Sequence, residues 1–102
     1  MKGPVILTGK QKRALRALGH HLRPLLSVGK NGTPDPVIAQ LEADLLAHEL
    51  VKVKVLKSCP QMLGDVAATL SESTGAALAQ SVGRTLLLYR AHPEEPVIRL
   101  PG

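Results

Sequence analysis

The feature that most constrains the fold of this chain is its near absence of aromatic side chains. Among 102 residues Tyr89 is the only aromatic one, although 44% of the residues are hydrophobic. A buried core must therefore be built from Leu, Val, Ile and Ala, and at this length it is the core of one domain. The same shortage argues against RNA-binding folds that stack bases on exposed aromatic rings, such as the RRM and the OB-fold.

Hydrophobic periodicity predicts the order helix, strand, helix, strand, helix, strand, strand. Residues 50–56 alternate, which is typical of a strand with Val51, Val53 and Val55 in the core. Three consecutive leucines at residues 86–88 indicate a strand that is covered on both faces. The predicted helices span residues 9–22, 34–48 and 60–73, and the predicted strands span residues 25–28, 50–56, 76–82 and 85–90.

Two stripes run along the first predicted helix, which Thr8 caps at its N-terminus. At about 100° per residue, one arc is largely apolar and holds Gln11, Ala14, Leu15, Leu18 and Leu22. A separate basic arc holds Lys12, Arg13, Arg16 and His20, with Arg23 beside it. Like charges at this spacing destabilise a helix slightly, and a purely structural helix would mix signs. The basic stripe therefore favours a binding role over a merely solvated face.

Single residues set the other predicted boundaries. Thr33 is expected to cap the second helix, with Pro34 at its first helical position. Gly75 is expected to end the third helix. Gly83-Arg84 is the predicted turn between the last two strands.

Two further segments are open to more than one interpretation. Lys52 and Lys54 share one face of the second strand, where we expect them to be solvated, with their stems lying along the sheet. Residues 91–102 contain three prolines, and they either add a short edge segment at residues 97–98 or form a loose tail.

Charge is distributed unevenly along the chain. Seven of the 13 Lys and Arg lie in residues 1–32, which contain no Asp or Glu and so carry +7. The remainder carries −2, because six basic residues face eight acidic ones there. Such an asymmetry in a small domain points to a polyanionic partner, with nucleic acid ahead of a membrane surface. A basic surface that serves only solubility is the simpler alternative.

The segment Gly29-Lys30-Asn31-Gly32 is the main candidate site, since it lies between a predicted strand and a predicted helix. A glycine at each end allows positive φ and close approach of a partner. The following helix offers free backbone N–H groups and a positive dipole end, and Lys30 adds a mobile cation. A GxxG loop clamps a nucleic acid backbone in this way, although an isolated GxxG string is more often simply a turn.

Catalytic and metal-binding signatures are missing from the sequence. There is no Walker loop, nucleophile elbow or dinucleotide fingerprint. The lone Cys59 can form no intramolecular disulfide, and the pair His20-His21 lacks a third metal ligand at a suitable spacing. We therefore expect no enzymatic activity, cofactor, metal or small-molecule substrate. The apolar run of residues 5–7 is too short for a signal peptide or a membrane span, so we expect a cytoplasmic protein.

Segments spread along the chain resemble one known family in order and spacing. They are residues 7–13 (LTGKQKR), 18–24 (LGHHLRP), 28–32 (VGKNG), 48–55 (HELVKVKV), 82–90 (VGRTLLLYR) and 98–101 (IRLP). On these segments the chain is similar to the CRM domain (chloroplast RNA splicing and ribosome maturation), whose free-standing bacterial members are called YhbY-like. Residues 57–62 (KSCPQM) depart from the pattern, because family members tend to carry an acidic stretch there.

The resemblance implies a fold, a function and a set of site residues. The fold is α/β, a single compact domain over residues 1–102 with a four-stranded mixed sheet and three helices, similar to the C-terminal domain of bacterial translation initiation factor three. The implied RNA-binding residues are the loop residues Gly29, Lys30, Asn31 and Gly32 and the helix residues Lys10, Lys12, Arg13 and Arg16, to which the basic stripe adds His20 and Arg23.

From this resemblance we expect a monomeric ribosome assembly factor that binds ribosomal RNA in precursors of the large subunit, away from membranes. The alternative is a basic protein–protein adaptor that docks an acidic partner without contacting RNA. The glycine-bounded loop separates the two, because a phosphate clamp needs it and an adaptor does not.

Overall fold

Three helices and four strands follow one another in the predicted order. The structure is a computed structural model that describes residues 6–102, so Lys2 and the start of the apolar run of residues 5–7 lie outside the described residues. The elements are α1 (Gly9–Gly19), β1 (Pro24–Val28), α2 (Asp35–His48), β2 (Leu50–Val55), α3 (Leu63–Thr74), β3 (Ala77–Val82) and β4 (Thr85–Tyr89).

The strands form one mixed sheet in the order β1-β2-β4-β3. The β1 and β2 strands are parallel and are joined through α2, because a parallel pair needs a long crossover connection. The other two pairings, β2 with β4 and β3 with β4, are antiparallel. Gly83 has φ +56° in the β3–β4 turn, which agrees with the predicted turn at Gly83-Arg84. The predicted α/β fold with three helices and a four-stranded mixed sheet is confirmed.

One face of the sheet carries the larger part of the core, against α2 and α3. Val51, Val53 and Val55 are fully buried there, as the alternation in β2 predicted. Leu86 and Leu88 join the same cluster, whereas Leu87 is buried on the opposite face. The prediction that the leucine run of β4 is covered on both faces is therefore confirmed.

The opposite face is covered in part by α1 and by the C-terminal residues. A smaller cluster forms there from Leu15, Leu50, Ala79, Leu87 and Tyr89, with Leu7, Ile98 and Leu100 packed against it. Burial raises the pKa of the Tyr89 phenol, and the negative charge of Glu49 adds to this effect.

The first helix begins as predicted and ends earlier than predicted. Thr8 Oγ1 accepts a hydrogen bond from the Gln11 amide, and Gln11 Oε1 accepts one from the Thr8 amide, which completes a capping box. The helix ends at Gly19 rather than at residue 22, because the chain must turn there to enter β1 at Pro24. Gly19 lies against the sheet, where a Cβ would come within 2.8 Å of Leu87 Cδ2.

The predicted starts of α2 and α3 are wrong. Thr33 caps no helix: its hydroxyl donates to Gln61 Oε1 at 3.1 Å, and the N-cap of α2 is Pro34, without a side-chain hydrogen bond. Helix α3 starts at Leu63 rather than at residue 60. The predicted end of α3 at Gly75 is confirmed, since this glycine has φ +76° in the left-handed region.

Residues 91–102 form no strand, so the edge segment considered at residues 97–98 is absent. The Glu49 carboxylate holds this segment: Oε2 accepts the His92 amide at 2.7 Å, and Oε1 accepts the amides of Val97 and Ile98 at 2.9 and 2.8 Å. Further along, Gln11 Nε2 donates to the carbonyl of Pro101 at 3.1 Å. The segment is thereby bound both to the α2–β2 junction and to α1.

Candidate nucleic-acid interface

The GxxG segment is a tight turn at the end of β1. The Gly32 amide donates to the Gly29 carbonyl at 2.9 Å, and Gly32 has φ +70°. Gly29 does not have a positive φ, and a Cβ on it would meet Leu56 Cδ1 and Ser58 Oγ at ordinary contact distances of 3.5 and 3.7 Å. The expectation of positive φ at both ends is therefore correct for Gly32 alone.

Lys30 and Asn31 lie at the exposed tip of this turn. No hydrogen bond within residues 6–102 uses the backbone amide of either residue. The tip therefore presents a lysine side chain and two free N–H donors, which together suit an anionic oxygen.

The N-terminus of α2 offers less to an anion than the sequence suggested. Pro34 and Pro36 have no N–H group, and the Val37 amide already donates to the Pro34 carbonyl at 2.9 Å. Asp35 also places a carboxylate in the first turn, where its negative charge offsets the positive end of the helix dipole. Only the Asp35 amide is left free at this terminus, so the expectation that several N–H groups there face a phosphate is wrong. The cation at the turn is Lys30.

The basic stripe of α1 is exposed to solvent and is not neutralised by acids. Lys12, Arg13 and Arg16 are all exposed, and the one salt bridge within residues 6–102 joins Arg90 to Glu42, elsewhere in the fold. Lys10 is exposed as well; it lies about 160° around the helix from Lys12 but only about 60° from Arg13, at the edge of the stripe.

Next to this stripe, part of the sheet is left uncovered. One row of side chains crosses all four strands at the same level of the register: Ser27, Lys54, Thr85 and Val82. Most of this row is exposed, since α1 and the C-terminal segment pack over the opposite end of the same face. We call these four residues the open sheet row.

A cleft joins α1 to the open sheet row. Its volume is about 550 Å³, and it is lined by Arg16, Ala17, His20, Lys52, Gln80, Val82, Thr85 and Leu87. Three of these residues, Arg16, His20 and Lys52, bring basic side chains into the cleft, and none of the lining residues is acidic. The GxxG turn follows β1 directly beyond Ser27 and Val28, at the same end of the sheet as the row.

The structure brings together some of the sequence-predicted residues and separates others. Arg16 and His20 share the cleft, and Lys12 and Arg13 lie on the same side of α1. Arg23 lines a second hollow, which shares Lys52 with the cleft. Lys10 lies at the edge of the stripe, next to Arg13. The role of each of these residues in binding stays a prediction.

The sequence analysis did not include Lys52 and Lys54 among its candidate site residues, although both lie on the sheet face that carries the cleft. They occupy alternate positions on the α1 side of β2, one in the cleft and the other in the open sheet row. Their spacing of two residues on a predicted strand was visible in the sequence. It became informative only when the position of α1 showed how much of this face is uncovered.

Two further observations concern metals and membranes. Within residues 6–102 no group of three or more His, Cys, Asp or Glu side chains is placed to hold a metal ion. Among the same residues, no helix is long and apolar enough to cross a membrane.

The fold and the site together define a small α/β domain with a cationic face made of a helix, an open sheet row and a glycine-bounded turn. The family model described as the CRS1 / YhbY (CRM) domain matches residues 7–90, and the chain belongs to this family. The family resemblance inferred from the sequence is thus confirmed.

Relatives match over nearly the whole chain. One from Bacillus subtilis, named "Probable RNA-binding protein YqeI", is 45% identical over 96 residues, which cover 94% of this chain and 100% of the relative. One from Haemophilus influenzae, named "RNA-binding protein", is 40% identical and covers 93% of this chain and 95% of its own. The solution structure of protein SAV1595 from Staphylococcus aureus superposes with a TM-score of 0.79 at 41% identity, covering 94% of this chain and 100% of that one.

Proposed function

We propose that this protein binds RNA through one continuous surface and that it acts, without catalysis, on ribosomal RNA in precursors of the large ribosomal subunit. The surface consists of the GxxG turn, the basic stripe of α1 and the cleft beside the open sheet row. Lys10 lies at the margin of this surface, next to Arg13. We place this activity in the cytoplasm and expect the protein to act as a monomer.

The observation that carries the proposal is the cluster of cations without carboxylate partners around the cleft. Lys12, Arg13 and Arg16 on α1 and Lys52 on β2 make no salt bridge with any described acidic residue. Cations that a protein does not pair internally are available to phosphates, and the counterions released from the nucleic acid then drive binding. The names of the Bacillus and Haemophilus relatives support RNA as the polyanion.

Association with an assembling particle follows from the size of the surface. A domain of 102 residues can contact only a few phosphates, which by itself gives weak and unspecific binding. Specificity then requires a target of defined shape, such as folded RNA with some ribosomal proteins already in place. The resemblance to free-standing bacterial family members supports the large-subunit precursor as this target.

A sucrose gradient of cell extract tests this assignment. The tagged wild-type protein is expected to sediment with immature large subunits and to be depleted from finished ribosomes. A variant in which Lys12, Arg13, Arg16 and Lys30 are all changed to Gln is expected at the top of the gradient, because the long-range attraction is removed.

Other distributions would contradict the proposal in different ways. Wild-type protein found equally on small subunits, or mainly on translating ribosomes, would indicate a role in translation instead. Protein that is free of ribosomal particles under all conditions would refute the ribosomal assignment and leave another RNA, or the adaptor function, to be tested.

A further inference from the structure

A second hollow lies beside the cleft, between the C-terminal end of α1, the start of β1 and the C-terminal segment. Its volume is about 370 Å³, near the lower end of the range for pockets that bind small molecules. The lining residues are Leu18, Leu22, Arg23, Leu25, His48, Leu50, Val51, Lys52 and Ile98. We call this cavity the leucine hollow.

The walls of the leucine hollow are apolar and solvent-exposed. Leu18 and Leu25 are each 51% exposed, and Leu22 is exposed as well. Leu18 and Leu22 belong to the predicted apolar arc of the first helix, so the structure leaves two of the five residues of that arc exposed to solvent, and Leu22 lies beyond the end of α1 at Gly19. Exposed leucines that line a concave surface are typical of a binding site.

The polar groups at the leucine hollow are all basic or neutral. Arg23, His48 and Lys52 supply them, and no carboxylate is among the lining residues. The electrostatic field at the hollow therefore favours an anion that also carries an apolar or planar part. Lys52 lines the cleft as well, so the hollow is continuous with the proposed RNA surface.

An RNA nucleotide fits this combination of groups. The protein has no exposed Phe, Tyr or Trp ring on which to stack a base, since Tyr89 is only 5% exposed and there is no Phe or Trp; the imidazole of His48 is the one ring among the lining residues. Bases that leave a helix are instead held between apolar side chains or against the plane of an arginine guanidinium. Leu18 and Leu25 offer the first kind of contact and Arg23 offers the second, while Lys52 is placed to pair with the phosphate.

We propose that the leucine hollow receives one unpaired base of the bound RNA, such as a bulged nucleotide. This inference rests on the proposed RNA-binding function and gives it a substrate class: folded RNA with an extruded nucleotide, rather than a uniform duplex. The cleft and the GxxG turn supply the electrostatic attraction, and the hollow distinguishes a bulged site from a paired one.

The test compares two RNA hairpins that differ by a single base. Both carry a one-nucleotide bulge, but in the second the bulged residue is abasic, so the backbone charge is the same. Fluorescence anisotropy is expected to show about tenfold tighter binding of the base-bearing hairpin to wild-type protein. The double variant Leu18→Gln, Leu25→Thr is expected to bind both hairpins with the affinity of wild type for the abasic one.

The control is Leu46→Gln, because Leu46 is 47% exposed on α2 and does not line the hollow. This variant should keep the tenfold preference, and all three proteins carry the same net charge. Equal affinity of wild type for both hairpins would overturn the proposal and assign the hollow to another occupant, such as residues 1–5, a second copy or an apolar protein segment. A preference that survives in the double variant would overturn it too. If wild type bound neither hairpin, the RNA-binding function itself would fail.

Discussion

The buried carboxylate of Glu49 provides a sharp test of how the C-terminal segment is held. Glu49 is 3% exposed and accepts three backbone N–H groups from residues 43, 48 and 49 positions away. In Glu49→Gln one side-chain oxygen is replaced by an NH₂ group, which must face at least one of these N–H donors. One hydrogen bond is lost with a buried donor left unpaired, and the others lose the contribution of the charge.

The expected cost is about 2–4 kcal/mol in the free energy of unfolding, from one unpaired buried donor and two weakened bonds. Urea unfolding followed by circular dichroism measures it at neutral pH. The matched control is Glu72→Gln, because Glu72 is exposed on α3 and makes no hydrogen bond within residues 6–102, so its effect should stay within about 0.5 kcal/mol.

The pH dependence gives the same prediction a second readout. Burial alone raises the pKa of Glu49, but the amides of His92, Ile98 and Val97 and the nearby His92 ring bring the pKa below its ordinary value of 4.5. A lowered pKa in the folded state stabilises the protein above pH 4.5, and this stabilisation disappears as the pH falls through the folded-state pKa. The difference in the free energy of unfolding between wild type and Glu49→Gln should therefore shrink as the pH falls below 4.5. A difference under about 0.5 kcal/mol at neutral pH, or one that grows as the pH falls below 4.5, would show that Glu49 does not hold the C-terminal segment in this way.

Two further predictions concern glycines. Gly29→Ala should leave the free energy of unfolding within about 0.5 kcal/mol of wild type, because φ at residue 29 is not positive and a Cβ has room there. Gly32→Ala should lower the free energy of unfolding by about 1 kcal/mol or more, because φ at residue 32 is +70°. Equal unfolding midpoints for the two variants would contradict the turn geometry. Gly19→Ala should lower the thermal midpoint despite the better helix propensity of Ala, because the new Cβ would lie 2.8 Å from Leu87 Cδ2; a raised midpoint would mean that α1 does not lie this close to the sheet.

Local patterns in the sequence predicted most of the fold. The alternation of Val51, Val53 and Val55 placed β2, and the leucine run of residues 86–88 placed a strand buried on both sides. Thr8 marked the start of α1 as its N-cap, and the capping box that the structure adds pairs it with Gln11, only three residues away. Each of these signals depends only on near neighbours in the chain.

Features that depend on distant residues were not predictable in this way. Nothing near Glu49 in the sequence distinguishes it from the other acidic residues, because the three N–H groups it binds belong to the C-terminal segment. The exposure of Leu18 could not be read from helical periodicity, which says that residues share an arc but not whether the sheet extends beneath it, and Leu22 is exposed beyond the end of α1 at Gly19. The prolines at residues 34 and 36 did carry a local signal against an anion site, and the hydroxyl of Thr33 was given too much weight as a cap.

If phosphates bind the cations around the cleft, the affinity of the protein for RNA must depend strongly on the salt concentration. If four to six phosphates of a single-stranded RNA are contacted, a plot of log K against log salt should have a slope of about −3 to −4. Arg16→Gln should reduce the magnitude of this slope by about 0.7, whereas Arg99→Gln, which removes the same charge from the exposed C-terminal segment, should leave it unchanged. An affinity that is flat between low and moderate salt, or an equal effect of the two variants, would mean that the cations around the cleft do not bind phosphates.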